Sequence, residues 1–302
     1  MRNGTWRTDL RISLVIPSYN SGRTLERAIQ SLIAQNYPDL QLILADAGST
    51  DESREILERY RGAFDVWISE PDGGQADGLN KGFARADGEI FGWLCADDEL
   101  LPGALCHVAS IFEANPAAGV VTGACERVYP DGSRALSPAD SQAWDKIATL
   151  DVIEQPSTFW RAALHRSVGP LDTSFDLAFD WDLWCRFARA RAALVTTEQV
   201  LSRYYFSSTN KSGSAGDLFA REAFRILRRY GPLRGRLAYI YRFLYRHFDL
   251  HGCWDAPGSC SALRIAAFLA TLTVLRWTVG PRLLHRYNWH FAARQQRGLK
   301  WW

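Results

Sequence analysis

Apolar residues along this chain come in short runs that stop at Gly, Pro, Asn or Asp, and stretches of helical period lie between them. Arg11 to Ile16 is the first run, closed by Pro17, and Ser18-Tyr19-Asn20-Ser21-Gly22 is turn chemistry. From about Arg23 to Gln35 the spacing predicts a helix, with Leu25, Ile29 and Leu32-Ile33 on one face. A second strand, Leu40 to Leu44, stops at Asp46-Ala47-Gly48-Ser49-Thr50-Asp51. Ser49 or Thr50 is expected to cap the next helix, with Glu52 and Glu55 where the helix dipole favours acids. Phe64 to Ser69 reads as a third strand, Gly73-Gly74-Gln75 as a loop and Ala76 to Ala86 as a helix. Strands alternating with helices predict a mostly parallel sheet covered on both faces.

The run that organises the rest is Glu89 to Glu99, EIFGWLCADDE. It reads as a buried strand that runs straight into two adjacent acids, Asp97 and Asp98. In an open α/β sheet, ligands bind outside the carboxyl ends of the strands. Paired carboxylates placed there suit a hard divalent cation shared with substrate phosphates; an acidic turn is the plain alternative. A helix follows Pro102 to about Ala114, then a strand from Gly119 to Val128 with a hairpin turn at Pro130-Asp131-Gly132. Gln155 to Trp160 is a short extended piece. Asp180 to Ala190 reads as a helix with Trp181, Trp184, Cys185 and Ala188 at helical spacing, and Leu194 to Tyr205 as a strand.

Charge changes the picture at the polar link Ser207 to Gly216. The net charge of +2 hides two opposed halves. Residues 1–200 carry 18 Lys and Arg against 29 Asp and Glu, a balance of −11. Residues 201–302 carry 17 against 4, a balance of +13. The expected division is a catalytic domain over 1–213 and a basic helical region over 214–302. A basic tail on an acidic domain points to an anionic partner surface, membrane or nucleic acid. The tail opens with a helix from Ala215 to Arg229, arginines clustered late. Ile265 to Leu275 is uncharged, with Ile265, Phe268, Leu269, Leu272 and Leu275 on one helical face. That is about half the ~20 residues a spanning helix needs, so it is read as an interfacial helix or as ordinary packing. Trp301-Trp302 suits contact at headgroup level.

The six cysteines form no CxxC pair and no zinc pattern, so reduced thiols and a cytoplasmic site are expected. The N-terminal MRNGTWRTDLR lacks the apolar core of a signal peptide, so export is not expected.

Five pieces together resemble the family 2 inverting glycosyltransferases of GT-A fold. They are Val15 to Asn20, Asp46 to Asp51, Ser69 to Gln75, Asn80-Lys81-Gly82-Phe83, and Trp93 to Asp98, in the family's order and spacing. The resemblance covers roughly residues 10–210. It implies a Rossmann-like α/β fold, a nucleotide-diphosphate sugar donor, most often a UDP-sugar, and Mn²⁺ or Mg²⁺ as cofactor. It implies donor contacts from Pro17, Tyr19, Asn20, Asp46, Gln75, Asn80, Lys81 and Asp97, with the metal on Asp98. Tyr19 offers a face for stacking a base, as aromatics do for single-stranded nucleic acid. Family members often carry an Asp where this chain has Ala47.

On the acceptor side, Asp176 to Trp184 resembles a motif in which a Glu-Asp pair opens a helix; here Phe179 replaces the Glu and Asp180 keeps the Asp. Direct displacement needs a base for the acceptor hydroxyl, which the resemblance assigns to Asp180, with Asp182 as runner-up. Burial beside Trp181 and Phe179 is expected to raise the carboxylate's pKa. Gln155, Trp160 and Trp181 are further acceptor-side candidates. Relatives carry a histidine in the segment that corresponds to Tyr204 to Ser208, where this chain has none.

The implied activity is metal-dependent, inverting sugar transfer to a saccharide or lipid-linked acceptor at the inner membrane face, in surface polysaccharide or glycolipid synthesis. No nucleic acid is expected as partner. A sugar nucleotidyltransferase is the rival within enzymes, and it calls for a Gly-rich, basic loop where this chain has Pro17-Ser18-Tyr19-Asn20. A non-catalytic nucleotide-sugar or nucleic-acid binding protein is the rival outside them.

Overall fold

The computed structural model describes residues 10–207 and 216–231, together with Lys211 and scattered positions between 235 and 277. In chain order the elements are β1 (Ile12–Ser18), α1 (Leu25–Ile33), β2 (Leu40–Asp46), α2 (Ser53–Arg59), β3 (Val66–Ser69), α3 (Gln75–Phe83) and β4 (Ile90–Trp93). Then come β5 (Glu99–Leu100), α4 (Ala104–Ala114), β6 (Ala118–Val128), β7 (Arg134–Ser137), α5 (Ala143–Lys146) and β8 (Thr158–Arg161). The series ends with α6 (Ala162–Val168), α7 (Phe179–Arg189), β9 (Ala193–Tyr205) and α8 (Gly216–Tyr230). The predicted strands and helices are present within a few residues, whereas β5, β7, α5 and α6 carry too few residues to show a period.

The sheet runs in the order β3-β2-β1-β4-β8-β6-β9-β5, with β7 paired to β6. β3, β2, β1 and β4 are parallel neighbours, and β8 joins β4 and β6 antiparallel. Every residue of β1 is buried, as in parallel strands covered on both faces. Strand alternation sends Ile12, Leu14 and Ile16 to one face, where they share a core with Leu25, Ile29 and Leu32 of α1 and Leu105, Val108 and Phe112 of α4. Val15 points to the other face and meets α3: a Cβ on Gly82 would lie 2.5 Å from Val15 Cγ1. Glycine there lets the helix backbone sit on the strand.

Beyond α3 that second face is aromatic. Phe83, Phe91 and Trp160 pack around His165, and Trp93, Trp184 and Phe187 extend the cluster, with Trp93 and Trp184 stacked at 5.9 Å and 3°. The expected cap of α2 is corrected. The helix begins at Ser53, and Asp51 Oδ1 accepts from the Ser53 backbone N–H. Ser49 is committed elsewhere, as described below.

Two compact units divide the chain. One runs to Trp144 and resumes over Val152–Phe206; the other takes in Asp145–Asp151 and the described residues from Ser207 onward. The second unit contains α8, an amphipathic helix that buries Ala223, Ile226 and Leu227. No helix among the described residues is long and apolar enough to cross a membrane. The calls on Ile265, Phe268, Leu272, Leu275 and Trp301-Trp302 lie outside the described residues.

Candidate active site

Parallel pairing brings the sequence motifs to one sheet edge. Ser18 is level with Asp46, and Asp46 with Ser69, at the carboxyl ends of β1, β2 and β3. β4 leaves the same edge one strand over, and Leu94 to Asp98 continue its line. Pro17 is a buried β1 residue beside Ala45, while Tyr19 is 63% exposed just past the strand, its ring open to a planar ligand.

Several residues expected to touch the donor also bond within the protein. Asp46 is buried, and its Oδ2 accepts from Gly48 N, Ser49 N and Ser69 Oγ, while Oδ1 accepts from Ser49 Oγ. A carboxylate has about four acceptor sites, so this one is spent on shaping its own loop. Asn20 sits in the left-handed region at φ 49°, and its Oδ1 accepts from Thr50 N. It ties the β1 loop to the β2 loop. Asn80 clamps the backbone of Leu171, Nδ2 donating to its oxygen and Oδ1 accepting from its nitrogen, both at 2.9 Å. Lys81 Nζ lies 2.9 Å from Glu70 Oε1 and donates to Pro71 O. The bond to Glu70 holds the lysine pKa above its usual value. Asp46, Asn20, Asn80 and Lys81 thus each hold the loops of this edge together.

Inside the edge, Gln75, Cys95 and Gln155 form a chain. Gln75 Nε2 donates to Cys95 Sγ at 3.3 Å, Cys95 Sγ donates to Gln155 Oε1 at 3.6 Å, and Gln155 Nε2 donates to Trp93 O. Cys95 escaped the sequence reading because a lone cysteine in an apolar run looks like a core residue. Its Sγ lies within 4.8 Å of carboxylate oxygens of both Asp97 and Asp98.

Asp98 is 2% exposed, and Tyr205 N donates to its Oδ1 at 3.3 Å. Burial, then the neighbouring Asp97 charge, pushes its pKa well above the usual carboxylate range. Burial also raises Asp97. Two adjacent desolvated carboxylates make a site short of positive charge. Oxygen donors of this kind fit Mn²⁺ or Mg²⁺. Cys95 does not join that set readily, because burial and then the charges of Asp98 and Asp97, with Asp180 also contributing, keep its thiol protonated.

Asp180 lies in the first turn of α7, half-buried, with Oδ1 accepting from Trp181 N at 2.7 Å. The position before the helix is Ala178, which makes no side-chain cap. Phe179 packs 6.1 Å from Trp93, so the aromatic core joins the start of α7 to the strand that carries the pair. The other acceptor-side candidates are corrected. Trp160 is 0% exposed inside the aromatic core, and Trp181 is buried as well. Asp182 is 1% exposed and ion-paired with Arg186 at 2.8 Å, out of reach of a substrate hydroxyl.

This edge, with its acids outside the carboxyl ends of parallel strands, is where an open α/β sheet binds its ligands. The model of the family "Glycosyl transferase family 2" matches residues 13–157. Residues 13–157 are thus similar to the family 2 glycosyltransferases. An uncharacterized glycosyltransferase of Nostoc sp. is 35% identical over 115 residues, 37% of this chain and 36% of that protein. This chain thus spans little more than a third of that relative. Two solved structures share the fold. S. aureus TarS 1-349 in complex with UDP-GlcNAc has a TM-score of 0.60 and 17% identity, covering 95% of this chain and 88% of TarS. The mannosyltransferase PcManGT from Pyrobaculum calidifontis, in complex with GDP-Man and Mn²⁺, has the same TM-score and identity, covering 95% of this chain and 84% of that one.

Proposed function

We propose that this chain is a metal-dependent inverting glycosyltransferase that moves a sugar from a nucleotide diphosphate, most readily UDP, to an acceptor hydroxyl. The observation that carries the reading is the Asp97-Asp98 pair at the end of β4, with Asp98 buried and carboxylate oxygens of both within 4.8 Å of Cys95 Sγ, and with α7, the helix that carries Asp180, packed on β4 through Phe179 and Trp93. The complexes of TarS with UDP-GlcNAc and of PcManGT with GDP-Man and Mn²⁺ support the donor class and the cation.

In this reading Tyr19 stacks against the base, Asp97 faces the ribose and Asp98 holds the cation. The cation, when bound, neutralises the charge that develops on the departing diphosphate. Asp180 accepts the proton of the acceptor hydroxyl as that oxygen attacks the anomeric carbon. Gln75 and Gln155 flank the acidic pair with amides that orient the sugar. The acceptor is a saccharide or lipid-linked saccharide, reached at the inner face of the cell membrane by way of the basic tail, in surface polysaccharide or glycolipid synthesis.

The test is a panel of nucleotide sugars assayed for donor hydrolysis and transfer with Mn²⁺, followed by NMR of the product. Transfer with inverted anomeric configuration is expected from at least one donor. A retained configuration, or full activity in chelator, would reject the mechanism.

A further inference from the structure

Asp97-Asp98 is followed by a third acid, Glu99, which does not join the pair. Its carboxylate is a hub for three side chains. Arg27 Nε lies 3.1 Å from Oε1, Tyr205 OH donates to Oε2 at 3.0 Å, and Arg203 Nη1 lies 3.4 Å from Oε2. Arg203 Nε pairs in turn with Glu126.

Arg27 stands on α1, off the Leu25-Ala28-Ile29-Leu32 core face. Its guanidinium makes three different holds. Nη2 donates to the backbone oxygen of Asp97 at 2.7 Å, Nε is ion-paired with Glu99 without a hydrogen bond, and the guanidinium carbon lies 3.6 Å from the centre of the Tyr205 ring. Tyr205 closes the loop, because its backbone N–H donates to Asp98 Oδ1. β5 fixes the same turn from behind, with Glu99 paired opposite Arg203 of β9.

Two neighbouring buried carboxylates repel each other, and the turn itself is closed by one backbone bond, from Asp98 N to Cys95 O at 3.1 Å. The supporting shell of a metal ligand sets its position and its affinity. Only a guanidinium has the planar fork and flat face to make a backbone bond, an ion pair and a ring stack together; an ammonium does not.

We infer that Arg27, with Glu99 and Tyr205, is the positioning device for the acidic pair, setting its affinity for the divalent cation without touching substrate. This rests on the proposed function above.

The test measures Mn²⁺ binding to the full chain by electron paramagnetic resonance, with and without UDP, alongside circular dichroism and melting. Arg27→Met is expected to weaken Mn²⁺ binding about 10- to 100-fold, the usual effect of losing an outer-shell partner, while the chain stays folded. Arg27→Lys should recover part of it, and Glu99→Gln should weaken it in the same direction. Arg59→Met, which breaks an exposed ion pair with Glu26, should change nothing. Should Arg27→Met fail to fold, Arg27→Lys and Glu99→Gln decide. Folded variants that bind Mn²⁺ like wild type would overturn the inference alone. Wild type that binds no Mn²⁺ in either condition would overturn the proposed function with it.

Discussion

Asp180 and Asp182 stand two positions apart in the first turn of α7, and their surroundings differ completely. Asp180 is half-buried and bonded to the next backbone N–H, whereas Asp182 is sealed against Arg186. Asp180→Asn should cut turnover ~10²–10⁴-fold, the range for loss of a general base, with donor binding by calorimetry nearly unchanged. Asp182→Asn should instead lower the melting temperature, because it leaves a largely buried guanidinium unpaired. An active Asp180→Asn would remove the base assignment. His165 offers a pH signature. Burial first, then the charges of Arg186 and Arg166, lowers its pKa to about 4. The unfolded chain, with a pKa near 6.5, takes up a proton that the folded one refuses. The stability this confers is full above pH ~6.5 and drains away as pH falls toward ~4, by up to about 3 kcal/mol. His165→Phe should flatten the fall in melting temperature over that window. Parallel pH profiles for the two proteins would count against it.

At the scale of elements, α3 works as a clamp. One face sits on β1 through Gly82, and Asn80 grips Leu171, the segment that leads into α7. Asn80→Ala should cost about 1–3 kcal/mol, the penalty for buried backbone groups left without partners. It should also lower turnover more than donor affinity, since the loosened segment carries Asp180. Equal effects on turnover and donor affinity would argue against that coupling. Gly82→Ala should destabilise more broadly, since its methyl meets a β-branched side chain in a strand that cannot shift. The sequence made these elements legible where apolar positions repeated with a strand or helical period, which the largely exposed β7 does not show. It could not separate two roles of polar residues in loops. Asp46, Asn20, Asn80 and Lys81 are the types that bind ligands and equally the types that bind loops, and only their partners distinguish the two.

For the whole molecule, the charge division between residues 1–200 and 201–302 is the dominant feature. If the basic region holds the enzyme at an anionic membrane, each Lys or Arg near the surface adds about 1 kcal/mol, screened within a Debye length. The full chain should then sediment with anionic vesicles at low salt and be released as salt rises. Phe268→Asp with Leu272→Asp should weaken the binding further. Protein that stays in the supernatant at low salt would sink the membrane role, and binding to RNA or DNA indifferent to those two positions would replace it. By itself the sequence determined the order of strands and helices in the catalytic part, the place of the acidic pair at a strand's end, and the charge division. These follow from side-chain periodicity, turn chemistry and composition, which are local or additive. The tertiary structure alone decided that Trp160 and Asp182 are interior, that Cys95 lies among the acids, and that Arg27 reaches Asp97 across 70 residues. Those are pairings between residues distant in the chain, and no local period or propensity encodes which groups such a fold brings face to face.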